Sequence, residues 1–287
     1  MRLAALVALV MVAFAANSIL NRMALAGGEA GPAAFAAIRL ASGAAALVAL
    51  AWMRSQPMSI ATPRRAWTTA ALAVYVLGFS FAYVGLDAGI GALILFGVVQ
   101  LTMFAGAILT GDRPVLARWI GMGVGLLGLG WLLAPSEGVV LPPVSTGLMV
   151  AAGVGWGIYS LIGRGAVAPL GETAGSFLCA APLSLAIWAI SGEGLAVTPA
   201  GWALAVTSGV VTSGLGYALW YAVLPRLDAS VAGLSQLTVP VIAVIGGILL
   251  LGESLTLRAT LAAALVLGGV AFGIFAASGR SAPAGRK

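Results

Sequence analysis

Leu227-Asp228-Ala229-Ser230-Val231-Ala232-Gly233-Leu234-Ser235-Gln236-Leu237-Thr238-Val239-Pro240, running on through an apolar segment to Gly252-Glu253-Ser254-Leu255, decides the fold, because its frame occurs twice. Half a chain earlier stand Leu86-Asp87-Ala88, another apolar segment, and Gly111-Asp112 before Leu116. The correspondence reaches further outward. Ser18 and Arg22 close the first apolar run as Ser160 and Arg164 close a central one, and Glu29 and Glu172 follow at a similar distance. At 287 residues the chain is about two such units long, so it reads as one duplicated module, 1–142 and 143–287.

A composition of 61% hydrophobic and 8% charged residues, with a mean hydropathy of +1.11, excludes a water-soluble core and identifies an integral membrane protein. Apolar runs of about 20 residues suit helices, whereas barrel strands would alternate over about 10 residues. The predicted fold is all-α, with ten transmembrane helices near 3–21, 32–53, 66–86, 88–110, 116–134, 143–165, 172–191, 199–224, 228–251 and 257–277. Five helices per module is an odd number, so the second half enters the membrane from the opposite side and the repeats are inverted around a central cavity. The first run, ending in Ala13-Phe14-Ala15, also has the form of a cleavable signal peptide. Its match to the run holding Ser160 and Arg164 favours a retained helix.

With the N-terminus in the cytoplasm, Arg2, Arg54, Arg64, Arg65, Arg113, Arg118, Arg164, Arg226, Arg280, Arg286 and Lys287 all face inward, most of the 14 basic residues. The positive-inside rule then places both termini in the cytoplasm, in a bacterial inner membrane. These arginines are anchors facing anionic lipid, so the basic balance implies no nucleic-acid partner.

Polar groups inside the runs are few. Asn17, Ser18, Asn21 and Arg22 share one helix face and form either a solvated helix end or the polar lining of a cavity. Arg39 lies about 10 Å inside the second helix and needs either a structural partner such as Glu29 or Asp87, or a substrate role. Tyr75, Phe79 and Tyr83 form a stripe on the third helix, answered by Tyr217, Trp220 and Tyr221 on the eighth. Phe14 and Asn17 align with Trp156 and Tyr159 in the same way. Such aromatics are packing residues or a substrate wall, with Tyr75 and Trp220 expected to pack. Gln100 with Thr102, and Ser235 and Gln236 with Thr238, supply hydrogen-bonding groups at mid-membrane, as glue between helices or as cavity lining. The GxxxG pairs Gly121/Gly125, Gly153/Gly157 and Gly269/Gly273 imply close helix packing, and the fifth and tenth helices serve as scaffold or dimer contact.

Catalysis is not in view. The chain has no histidine and a single cysteine, Cys179, and its 8 carboxylates all fall near helix ends, so no catalytic residue, metal site or cofactor is expected. The repeat mates Asp87 and Asp228 lie on opposite membrane faces after inversion, which excludes a paired-aspartate intramembrane protease.

The paired five-helix units, Pro240 and the closing Gly252-Glu253-Ser254-Leu255 resemble the drug/metabolite transporter superfamily and, within it, the EamA-type exporters, above all those for aromatic amino acids. Val99 and Asp112 depart from the motif in the first half. The resemblance implies a cavity lined by helices 1, 3, 4, 6, 8 and 9 and export of amino acids and related metabolites. Inverted repeats argue independently for alternating access around a site near the midplane. The candidate substrate-binding residues are Asn17, Phe79, Tyr83, Gln100, Trp156, Tyr159, Tyr217, Tyr221 and Gln236. The expected partners are neutral and aromatic amino acids and the lipid bilayer, for a monomer or weak homodimer. Export of lipophilic cations is the alternative.

Overall fold

The computed structural model describes residues 2–58, 60, 62–111, 113–134, 141–163, 166–194, 196–227, 235–254 and 256–278. Among them there are helices and no strands. The helices are α1 (Arg2–Ala26), α2 (Pro32–Met53), α3 (Pro63–Ala82), α4 (Ala88–Leu109), α5 (Leu116–Leu133), α6 (Pro143–Gly163), α7 (Pro169–Ile190), α8 (Pro199–Arg226), α9 (Thr238–Leu251) and α10 (Leu257–Ser278). Proline opens five of them, at Pro32, Pro63, Pro143, Pro169 and Pro199, where its missing N–H has no partner to lose and its fixed φ already suits a helix. Thr62 and Thr198 cap α3 and α8 by accepting from the N–H of Arg65 (3.2 Å) and Gly201 (3.0 Å).

Of these, 8 are long and apolar enough to cross a bilayer. Two differ from the predicted spans. α3 carries Arg64, Arg65, Thr68 and Thr69 in its first turns, and α9 has 14 residues, preceded by residues 228–234 outside the described set. Asp112, Glu137, Arg164, Asp228, Leu255, Arg280, Arg286 and Lys287 also lie outside the described residues.

Helices from the two halves pack on one another. α5 lies along α10, α2 along α7 and α8, α3 along α6, α4 along α6 and α9, and α1 along α8 and α9. Glycine permits these approaches. A Cβ on Gly155 of α6 would come within 2.7 Å of the Ala71 carbonyl of α3, and one on Gly153 within 2.7 Å of Val98 on α4. The Gly121 and Gly269 pairs are spent inside the chain, on the α5–α10 contact, and so serve as scaffold.

The turns gather at two ends of the bundle. At one end Arg22 of α1 reaches Asp87 (3.3 Å) and Glu253 (3.7 Å), Glu193 reaches the start of α2, and Thr198 donates from its N–H and its hydroxyl to the carbonyl of Glu29 (3.0 and 3.3 Å). At the other, Arg65 of α3 pairs with Glu172 of α7 at 2.8 Å. α1 begins, and α10 ends, at the Arg65 end.

A Cβ at Gly269 would meet the Gly121 carbonyl at 2.6 Å and the Gly125 amide at 2.9 Å, whereas at Gly268 it would meet nothing within 4 Å. Gly269→Ala should therefore destabilise the bundle by ~1–3 kcal/mol through backbone displacement. Gly268→Ala should leave it unchanged or gain ~0.5–1 kcal/mol from lower chain entropy in the unfolded state. Thermal unfolding of the two variants in detergent checks the opposite signs.

Candidate functional site

The interior of the bundle holds a continuous aromatic cluster built from both halves. Trp156 of α6 lies 5.0 Å from Tyr217 of α8, 4.9 Å from Tyr75 of α3 and 5.7 Å from Tyr159, ring centre to ring centre. Phe14 of α1 sits edge-on to Trp156, Tyr217 and Trp220, and Phe79 joins Tyr75 to Tyr83. Each such pair contributes about 0.5–1.5 kcal/mol beyond the area it buries, so the cluster is a stiff wall rather than a loose filling.

Phe14, Asn17, Ser18, Tyr75, Phe79, Trp156 and Tyr217 face a small closed cavity, whose free space of about 10 Å³ for the centre of a water-sized sphere admits roughly one water. A second small cavity nearer the Arg65 end is bordered by Tyr159, Tyr221, Thr173, Ser176 and Glu172. The predicted residues thus divide into groups. Asn17, Phe79, Trp156 and Tyr217 come together at the first cavity, and Tyr159 and Tyr221 at the second. Tyr83 is fully buried against Phe79, with its hydroxyl donating to the Ala88 carbonyl at 3.2 Å. Gln100 and Gln236 are half-buried and border neither cavity.

Two expectations change. The polar corner of α1 is no solvated helix end: α1 continues to Ala26, and Asn17, Ser18 and Asn21 are buried. Tyr75 is no bystander, since it lines the cavity and its hydroxyl accepts from Arg39 Nη2 at 3.1 Å.

Sequence reasoning also missed the hydroxyl cluster of α8. Residues Ser208–Leu215 form a π-helical stretch, the widened helix common at functional sites. It turns Ser208 (2.8 Å), Thr212 and Ser213 (3.4 Å) toward the side-chain oxygen of Asn17. The readable signal was the tripeptide Thr-Ser-Gly, present at 207–209 and again at 212–214, a five-residue spacing that matches the i to i+5 bonding of a π-helix. Gly43 and Gly209 let α2 and α8 touch there, a Cβ at Gly43 falling 3.0 Å from the Gly209 carbonyl.

Arg39 completes the polar spine. It is 0% exposed, donates from Nε to Ser213 at 3.0 Å, and lies over the rings of Tyr75 (5.4 Å) and Phe79 (5.2 Å). The expected partners are taken elsewhere: Asp87 pairs with Arg22, and Glu29 bonds to Thr198. Cation–π contacts contribute about 2 kcal/mol each when desolvated, against several kcal/mol for withdrawing a guanidinium from water.

At the bundle end, two helix starts are capped from far away in sequence. Gly31 and Asp87 offer no side-chain cap to α2 and α4. Instead Glu193 accepts from the N–H of Ala33 (2.9 Å) and Ala34 (3.0 Å), and Glu253 from Ala88 (2.8 Å). Arg22 meanwhile donates to the last carbonyls of the α3 turn, Tyr83 (3.1 Å) and Val84 (3.2 Å).

Apolar helices around a buried polar spine define a multi-pass membrane protein, and comparison with known proteins sharpens the class. The EamA-like transporter family matches residues 145–275. The uncharacterized protein PA1977 of Pseudomonas aeruginosa is 45% identical over 284 residues, 98% of this chain and 97% of that one. The threonine/homoserine exporter RhtA of Escherichia coli is 34% identical over 172 residues, 56% of each chain. A solved crystal structure shares the fold with a TM-score of 0.68 at 23% identity, covering 96% of this chain and 99% of that one. These features make the protein a multi-pass membrane protein whose likeness is to transporters, among them an exporter of small metabolites. Residues 145–275 carry the match to the EamA-like transporter family, which supports a place in the drug/metabolite transporter superfamily.

Burial raises the pKa of the Glu253 carboxyl above the usual carboxylate range, with Asp87 pushing the same way and the Ala88 N–H and Arg22 opposing. Ionising it therefore costs folding free energy. Its contribution is fully present below the unfolded pKa and is lost as pH rises through the folded value. Glu253→Gln keeps an acceptor for Ala88 but cannot titrate, so its thermal midpoint relative to wild type should rise as pH climbs above the ordinary glutamate range of about 4. A constant difference as pH rises would show that the carboxyl is not perturbed.

Proposed function

We propose that this protein exports neutral amino acids, aromatic ones included, and related metabolites from the cytoplasm by alternating access between two inverted five-helix repeats, 1–142 and 143–287. The observation that carries the reading is the closed aromatic cavity, to which α1 and α3 of the first half and α6 and α8 of the second contribute Phe14, Phe79, Trp156 and Tyr217. A site shared between repeats near the midplane is where exchange of two conformations can expose it to either side. The name of RhtA supports amino-acid export, and the resemblance to the aromatic amino-acid exporter YddG supports the aromatic preference. Ten crossings are supported by the way α3 and α9 pack among the spans that are long enough alone.

Both termini are taken as cytoplasmic, with the end that holds Arg22 and Glu193 facing outward. A cysteine placed at position 193, after replacement of Cys179, should be labelled by an impermeant thiol reagent from outside; labelling from inside alone reverses the topology. Transport is taken as facilitated, since the carboxylates fall at helix ends, Glu172 in the first turn of α7 included, and none lies in the middle of a span. Counterflow of labelled amino acids into proteoliposomes should need no pH gradient, and uptake driven solely by such a gradient would sink the facilitated mechanism.

In the same vesicles Trp156→Leu and Tyr217→Leu should weaken apparent affinity for an aromatic amino acid roughly 2- to 12-fold, the worth of one lost ring contact. Trp52→Leu, on a side chain that is 79% exposed, is the control. Unchanged affinity and rate in both cavity variants would make the cluster structural and move the site elsewhere.

A further inference from the structure

Three arginines of the bundle, Arg22, Arg39 and Arg65, are treated unequally. Arg65, 3% exposed, has the Glu172 carboxylate at 2.8 Å, and Arg22 has Asp87 and Glu253. Arg39 is more deeply buried than either, yet no carboxylate lies within ion-pairing distance of it among the described residues. The groups that face it are neutral: the Tyr75 hydroxyl and Phe79 ring from α3, and Ser213 from α8, itself bonded to Asn17 of α1. Its Nη1 has no hydrogen-bond partner, and the Tyr217 hydroxyl on the cavity wall has Tyr75 and Arg39 as its electrostatic neighbours. Buried donors are almost always satisfied, and a buried charge is almost always paired. An idle guanidinium donor beside a closed cavity therefore marks a place kept for a ligand group. The chemistry that fits a guanidinium is a planar anion, the carboxylate first among them.

We propose that Arg39 is the anion anchor of the central site, its free Nη1 taking the carboxylate of the transported molecule. This rests on the amino-acid reading above and adds the residue that recognises the acid group. Tyr75 and Phe79 both line the cavity and cover the guanidinium, so displacing either ring as the cavity widens brings the charge to the substrate. Nε on Ser213 and Nη2 on Tyr75 hold the plane of the fork while Nη1 stays available. The same fixed positive charge disfavours lipophilic cations, so the site selects for carboxylates twice over: by attraction of the acid and by repulsion of its cationic competitors.

The test compares acids with their uncharged-carboxyl analogues. Thermal stabilisation of the purified full-length protein is titrated with L-phenylalanine, L-threonine and phenylacetate, and with L-phenylalaninamide, L-threoninamide and phenylacetamide. Wild type should respond to at least one acid about tenfold or more tightly than to its amide, the scale of one charge-assisted hydrogen bond. Arg39→Gln should abolish that preference, and Arg39→Lys should keep part of it. Tyr75→Phe, which leaves the charge but removes one brace, should weaken the acid preference by less than Arg39→Gln does, and it carries the test if Arg39→Gln does not fold. Equal response of wild type to acids and amides, no response to any acid, or an unchanged acid preference in Arg39→Gln overturns the anchor. The two readings fail separately: amino-acid counterflow without acid preference removes the anchor alone, and acid preference without counterflow removes the transport reading alone.

Discussion

Charge withdrawn from water into a slab of hydrocarbon is the constraint on which this structure turns. Each basic residue that enters the bundle must be met by an opposite charge, by oriented dipoles or by the face of a ring, and the chain uses all three. Arg22 sits at the rim with two carboxylates and the carbonyl ends of a helix. Arg65 is buried against a single carboxylate, with Ser176 accepting a further bond at 2.7 Å. Arg39 is met by two hydroxyls and two rings. Moving inward, the compensation becomes progressively less charged, which leaves the middle of the bundle electropositive.

That gradient explains why the neighbouring helix is irregular. A regular α-helix repeats its face every 3.6 residues and would keep Ser208 and Thr212 on one face while carrying Ser213 about 100° further round. The wider π-helical turn lets all three reach one amide oxygen on α1 while Ser213 also receives Arg39. Asn17, Ser213 and Arg39 consequently act as one hydrogen-bonded unit linking α1, α8 and α2. Networks of this sort polarise one another in low dielectric, so loss of one member is felt by all.

Much of this was legible in the sequence. Run length located the helices, because a span must satisfy its own backbone and its length is set by the bilayer. Recurrence between the halves of the sequence picked out Asn17, Phe79, Trp156 and Tyr217, which meet at one cavity. What escaped was whatever depends on partners remote in sequence. Arg39 was visible as costly, but its companions on α8 resembled the small residues of ordinary helix packing. Tyr75 lay on the stripe and was assigned to packing because single-helix spacing does not reveal which ring a neighbouring helix leaves uncovered. Gln100 and Gln236 were chosen for chemistry alone, and helix rotation turned them from the cavity.

The remote caps at the bundle end have a consequence for how this chain can evolve. Glu193 and Glu253 belong to the second half, yet the helix starts they satisfy, α2 and α4, belong to the first. Here a change at position 253 is registered at once by Ala88 and by Arg22, and one at 193 by Ala33 and Ala34. The two parts of the chain depend on each other through a few carboxylate oxygens, so substitutions at 22, 87 and 253 should be inherited as a set, and residues 1–142 on their own would leave the starts of α2 and α4 uncapped.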